Sequence, residues 1–335
     1  MSGIDRRAFR VGGLMVALGL IGVASLAVGT HRLPPAEVVA ALLAGPSAEG
    51  LLAAPIVWEL RLPRVVLASL VGLALGAAGA AYQGLFRNPL ADPFVIGASS
   101  GSALGATLVI VLGGTGGAFG FAAVPLGAFV GAIGAAAVVY AATAWWGRLP
   151  LVGLLLAGSA VSSCLGALVW LLMVLHDEDL ARIVAWLMGS LASRGWPAVR
   201  VGWPYVAVGV AGLALLARPL DALSLGEEPA LSLGLPLRRA TGAIIAAASL
   251  ATAAAVAVAG VIGFVGLIAP HAARALVGGR HRYLIPACGL AGAILLLLAD
   301  DLARTVAAPV ELPVGVLTAL LGGPFFLLIL GTRAR

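Results

Sequence analysis

The chain is built around ten apolar runs, each close to the roughly 20 residues needed to cross some 30 Å of hydrocarbon, separated by polar or Pro/Gly-rich breaks. They lie at 11–29, 65–85, 96–113, 121–145, 153–175, 201–216, 240–259, 261–276, 283–306 and 312–330. A backbone in lipid must satisfy its own hydrogen bonds, so such runs fold as helices. The expected fold is all-α, a single polytopic membrane domain over residues 1–335 with about ten transmembrane helices. Only Gly260 and Gly263 divide the seventh run from the eighth, which makes that boundary the least defined.

Composition narrows the function. Only 10% of residues are charged and 61% are hydrophobic, against about 25% charged in soluble domains, which excludes a soluble enzyme. The 46 glycines are about twice the usual share, as expected where helices pack through small side chains in lipid. All 20 basic residues are arginine and no lysine occurs. A P-loop lysine, a Schiff-base lysine and a lysine general base are therefore excluded. The arginines are scattered among apolar runs and form no stripe for nucleic acid. Cys164 and Cys288 lie inside apolar runs and read as buried thiols.

Arginine placement gives the orientation. With the N-terminus inside, Arg6, Arg7, Arg10, Arg87, Arg148, Arg218, Arg238, Arg239, Arg274, Arg280, Arg282, Arg333 and Arg335 fall on the cytoplasmic face. That is 13 of 20, leaving Arg32, Arg61, Arg64, Arg182, Arg194, Arg200 and Arg304 outside. Both termini are expected inside. The Arg6-Arg7 start resembles a twin-arginine signal, but the following run is long enough to remain as a span.

No ionisable residue falls in the middle of a run. Asp300, Asp301 and Arg304 sit towards the outer end of the ninth, and Glu59, Arg61 and Arg64 just before the second. A proton- or sodium-driven carrier working alone keeps such groups at mid-bilayer, where function alone tolerates their cost. That alternative is disfavoured, and the energy for pumping must come from another subunit. An intramembrane serine protease at ASSGSALG (98–105) lacks a mid-membrane histidine. His31, His176 and His281 lie in or near loops without partner spacing, and no metal site or cofactor is expected. His271 follows Pro270 beside Arg274 and reads as a capping or docking residue in preference to a metal or haem ligand.

Two loops carry information. The stretch 218–239 is too polar to span. Pro219 and Pro236 punctuate it, Asp221 can cap a short helix, and Gly226 with Pro229 breaks the chain before a second short helix that Gly234 could stop. Two short amphipathic helices there make an inner knob. Glu227 and Glu228 sit poorly against anionic headgroups, which favours a protein partner over lipid. After the second run, Asn88-Pro89 and Asp92-Pro93 force an irregular turn before Ser99 and Ser100 restart a helix. Such backbone either gates a cavity at the cytoplasmic mouth or is a plain interhelical turn.

Together these segments resemble the FecCD family, permease subunits of ATP-driven (ABC) importers for iron-siderophore complexes, haem and vitamin B12. The resemblance rests on RLPR (61–64), QGLFRNPLADP (83–93), LLLAG (154–158), WLMGSL (186–191), LGEEPALSLGL (225–235) and GFVGLIAPHAAR (263–274). It continues through LLLLADDLAR (295–304) and ELPVGVLTALLGGPFF (311–326).

The resemblance implies a non-catalytic type II ABC importer permease fold in a bacterial or archaeal cytoplasmic membrane. It implies as partners a second copy of the chain, two ATPase subunits and a periplasmic or lipid-anchored substrate-binding protein. Arg61, Arg64 and Arg304 match the arginines that receive the binding protein's glutamates. Leu225, Gly226, Glu227, Glu228, Ala230, Leu233 and Gly234 match the ATPase-coupling helices, and Asn88 and Leu90 match an inner gate. The family's other gate, in the turn before the fifth span, has hydroxyl residues in some members, where this chain has Pro150 and Leu151. The substrate implied is a metal chelate, iron-siderophore or haem first and vitamin B12 next.

Overall fold

The computed structural model describes residues 3–29, 33–46, 52–113, 122–145 and 151–333. His31, Arg32, Arg148, Pro150 and Arg335 lie outside the described residues, and so does any test of a gate at Pro150. Every described element is helical: α1 (Gly3–Ala27), α2 (Pro35–Ala44), α3 (Ala53–Pro55), α4 (Leu62–Leu85), α5 (Ala98–Val111), α6 (Ala123–Trp145) and α7 (Leu151–Leu175). There follow α8 (Leu180–Leu187), α9 (Gly195–Leu215), α10 (Ala217–Ser224), α11 (Glu227–Ser232), α12 (Leu237–Ala259), α13 (Val265–Val277), α14 (His281–Thr305) and α15 (Val314–Arg333). The ten apolar runs correspond to α1, α4, α5, α6, α7, α9, α12, α13, α14 and α15. Seven described helices are long and apolar enough to cross a membrane by that measure alone; α5, α13 and Val314–Leu328 are shorter apolar helices.

Several boundaries differ from expectation. α3, a π-helical turn (Ile56–Arg61) and α4 form one continuous helix of 33 residues, Ala53–Leu85. At 1.5 Å per residue it is about 50 Å long, some 20 Å more than the hydrocarbon core. Glu59, Arg61 and Arg64 therefore lie within a helix and not in a loop before it, on turns that overhang the apolar stretch. The π turn fits Pro63, which lacks an N–H to donate and whose ring crowds the carbonyl of Glu59. α2 and α8 were not expected: both are shorter than a span. α5 starts at Ala98, with the left-handed Gly97 as its cap, so Ser99 and Ser100 lie in its first turn. Cys288 is buried, but Cys164 is exposed on α7, contrary to expectation.

The centre of the molecule is α4, packed chiefly on α14, with α9, α12 and α13 around it. Its glycines explain the closeness. A Cβ at Gly72 would overlap the carbonyl of Gly292, and one at Gly76 the carbonyl of Cys288. The two backbones touch without intervening side chains, the contact that small residues permit between membrane helices.

Side-chain bonds fasten the bundle at two opposite ends. At one, Trp196 Nε1 donates to Trp58 O at 2.9 Å, and Trp58 Nε1 donates to Ala41 O at 2.9 Å, tying α9 and α2 to the start of the Ala53–Leu85 helix. At the other, Arg10 donates to Leu276 O, joining α1 to the end of α13.

Candidate functional site

The first end gathers charge. Arg64 offers Nε and Nη2 to the two Asp300 oxygens at 2.9 Å each, a fork-to-fork pair, and its Nη1 donates to Glu311 Oε2 at 2.7 Å. Arg304, one turn after Asp300, donates Nη1 to Val28 O and Nη2 to Ser25 Oγ, both at 3.0 Å, and also pairs with Asp301. Ser25 Oγ donates to Asp301 Oδ1 at 2.6 Å. Arg61 Nη1 donates to Leu26 O at 2.6 Å. α1, α4 and α14 are thus sewn together by a cluster whose arginines each have anionic or carbonyl partners. Buried charge persists in such places when it is paired and hydrogen-bonded.

The three arginines singled out from the sequence do converge here, but unequally. Arg61 and Arg304 are buried. The Arg64 side chain is 13% exposed and that of its partner Glu311 35%, so this pair forms the open edge of the cluster. Asp300, Asp301 and Glu311 were not expected as partners of these arginines; Arg304 stands at i,i+4 and i,i+3 from Asp300 and Asp301, a spacing the sequence does show, whereas the 236 and 247 positions from Arg64 to its two partners leave no local pattern.

The second end gathers the knob and the Asn88–Leu90 segment. α10 and α11 form the two short helices, separated at Gly226, whose φ of 126° suits a residue without Cβ. The first differs in detail from expectation. α10 begins at Ala217, so Pro219 sits in its first turn, and Asp221 lies inside it and does not cap it. Pro229 falls in the first turn of α11, where its missing N–H costs nothing. Leu220 and Leu223 bury one face of α10 among Tyr82 and Leu85 of α4, and Ala230 is buried beneath α11. Glu227, Glu228, Leu225, Leu231, Leu233 and Gly234 are exposed. The outer surface of the knob is therefore acidic and aliphatic together.

Beside the knob, residues 86–97 leave α4 and fold back along it. Asn88 Oδ1 accepts the Leu90 N–H and Asp92 Oδ1 accepts the Phe94 N–H, both at 2.9 Å, so each residue before a proline also closes a local turn. Burial pushes the Asp92 carboxyl up to about 6, with the Phe94 N–H opposing. The far half of this segment is packed in protein: Pro93 lies against Gly266 of α13, and Val95 O against Gly158 of α7. The near half is open. Pro89 and Leu90 line a hollow with Phe264, Ile268, His271 and Phe325 from α13 and α15 and their approaches. The His271 ring meets Phe325 edge-on at 5.7 Å between centroids, an apolar contact. Leu151, the described half of the expected second gate, opens α7 and is buried.

Three bonds connect these parts. Arg274 Nη1 donates to Gln83 Oε1 at 2.7 Å, joining α13 to α4. Asp221 Oδ1 accepts the His281 backbone N–H at 2.8 Å and its ring Nδ1 at 2.7 Å, joining α10 to α14. His281, read from the sequence only as a loop histidine without metal-ligand spacing, is the residue that sequence reasoning missed; 60 positions from Asp221, it carries no spacing signal. Among the described residues no three His, Cys, Asp or Glu side chains are close enough to hold a metal ion.

Comparison with known proteins adds the following. A model of the FecCD transport family matches residues 16–332. The cobalamin import system permease protein BtuC of Halobacterium salinarum is 43% identical over 321 residues, covering 92% of this chain and 85% of that protein. The hemin transport system permease protein HmuU of Yersinia pestis is 41% identical over 291 residues, covering 83% and 84%. A solved structure described as an inward-facing conformation of a metal-chelate type ABC transporter superposes with a TM-score of 0.83 at 33% identity, covering 97% of this chain and 99% of that one.

Proposed function

Because the chain belongs to the FecCD transport family, we propose that it is the non-catalytic permease subunit of an ABC importer that carries a metal chelate into the cytoplasm. The observation that carries this reading is the juxtaposition at the second end. An exposed acidic and aliphatic knob, suited to a protein groove, stands beside a re-entrant segment that borders a hollow. Force applied at the knob has a short path to that segment. The end holding Arg7, Arg10, Arg87 and Arg274 then faces the cytoplasm, which follows the arginine bias and puts both termini inside. The chain works in a bacterial or archaeal cytoplasmic membrane as one of two copies, with two ATPase subunits below and a periplasmic or lipid-anchored binding protein above.

In this reading the cluster around Arg64 receives the binding protein. A guanidinium suits carboxylates, and at a rim it sets register and encounter rate more than affinity. Arg61 and Arg304, held from within, keep α1 and α14 in place around the more open Arg64. Replacing Arg64 with Gln removes the charge without setting a third carboxylate beside Asp300 and Glu311. Docking of the cognate binding protein should weaken about three- to tenfold and lose part of its salt dependence, while the ATPase subunits still co-purify. Unchanged affinity would count against this surface.

For the inner mouth, Asn88 and Leu90 form the gate. Asn88→Ala removes the acceptor of the Leu90 N–H and is expected to leave the importer assembled but leaky to substrate without ATP, measured as efflux from loaded proteoliposomes. Tight vesicles would place the seal elsewhere. For the cargo, iron-siderophore complexes and haem come first and cobalamin next, the relatives above being named for cobalamin import and hemin transport. The visible spectrum of the cognate binding protein, purified from its own cells, separates these chromophores.

A further inference from the structure

We infer that Asp221 and His281 form the joint through which movement of the α10–α11 knob reaches the gate segment, an inference that rests on the knob being the ATPase seat. Gly226 and Gly234, both at positive φ, bound α11 within the knob. The knob is held by attachments of two kinds. One is apolar, Leu220 and Leu223 of α10 against α4 and the buried Ala230 of α11, and such contacts slide. The other is directional: a single oxygen of Asp221 accepts two N–H groups of one residue at 2.8 and 2.7 Å. Because the backbone N–H of His281 lies in the first turn of α14, that carboxylate fixes the helix end as well as the ring.

The ring then faces α4. His281 is buried, its Nε2 has no hydrogen-bond partner among the described residues, and it rests on Gly84, where a Cβ would overlap that nitrogen. Gly84 O accepts the Arg87 N–H at 3.3 Å, and Gln83 O accepts the Asn88 N–H at 3.2 Å. The path from Asp221 to Asn88 thus runs through one imidazole, packed against Gly84, and one helix end. α14 also carries Asp300 and Arg304 at its far end, so the helix held by Asp221 is the one that reaches the Arg64 cluster. Asp221 and His281 are positioning residues in this scheme and touch no substrate.

The test uses the importer reconstituted with its ATPase subunits and binding protein, and reads substrate transported per ATP hydrolysed, a ratio that loss of material does not move. Asp221→Ala, which removes the acceptor of both N–H groups, should lower this ratio by about fivefold or more while the complex still assembles. Asp221→Asn keeps an oxygen for both N–H groups and should restore most of it. His281→Leu, filling the site without a ring donor, should uncouple like Asp221→Ala. A wild-type ratio in Asp221→Ala and His281→Leu would overturn the inference. So would an Asn variant as defective as the Ala variant. If Glu227→Arg with Glu228→Arg leaves the ATPase bound, the seat itself is misassigned and the joint falls with it. If that pair detaches the ATPase while Asp221→Ala couples normally, the joint alone is wrong.

Discussion

Exchanging both Glu227 and Glu228 for arginine is expected to detach the ATPase subunits and reduce ATP-driven uptake to background. The two carboxylates stand exposed in the first turn of α11, close in sequence to the exposed Leu231 and Leu233, while Ala230 is buried. Reversing two charges at an interface sets like against like, at a cost of several kcal/mol, enough to reduce affinity by more than a hundredfold. A second, smaller effect acts within the chain, since acidic side chains favour a helix N-terminus by a few tenths of a kcal/mol or more. The knob should survive that loss because Leu220, Leu223 and Ala230 anchor it from beneath. Pull-down with the ATPase subunit and uptake in proteoliposomes read the two effects separately. Full uptake in this variant would show that the ATPase sits elsewhere.

Gly76→Val is expected to destroy the fold. Its side chain would be driven into the carbonyl of Cys288 on α14, a backbone atom that cannot move without separating α4 from its main neighbour. Overpacking a core side chain costs about 1–3 kcal/mol, and here the obstacle is backbone at the centre of the bundle, so the cost should reach the upper end or exceed it. Folded protein recovered from detergent, followed by size exclusion and thermal unfolding, should fall several-fold or vanish. Gly19→Val on α1 is the control: nothing lies within 4 Å of a Cβ there, and it should purify normally. Equal behaviour of the two variants would mean that α4 and α14 do not approach as described.

These contrasts show what the sequence could carry. Spans are legible because burial in lipid demands a run of fixed length, and each of the ten runs corresponds to a described helix. Length fails at the edges. The Ala53–Leu85 helix extends well before its apolar stretch because a helix continues wherever its polar turns find partners, and Arg61 and Arg64 find them on α1, α14 and Glu311. α2 and α8 are too short to register as spans. Apolar pattern also cannot separate lipid-facing from buried positions, which is why Cys164 and Cys288 read alike and differ in the structure. The knob was legible from Gly226, Pro229 and Gly234, but not that Asp221 would leave its own helix to cap α14. Partners 60 or 236 residues apart in sequence leave no periodic trace.

The account depends on the absence of a motor within the bilayer. Among the described residues the paired charges gather at the two ends, Arg64, Asp300 and Arg304 at one and Arg10 and Arg274 at the other, while Asp92 lies partly buried in the segment that follows α4. The direct measurement is uptake of the chelate, delivered by its binding protein, into proteoliposomes holding this chain with or without its ATPase subunits, under an imposed proton or sodium gradient or with enclosed ATP. Accumulation is expected only when ATPase and ATP are both present, with no response to either gradient. Gradient-driven accumulation by the chain without ATPase would contradict the account.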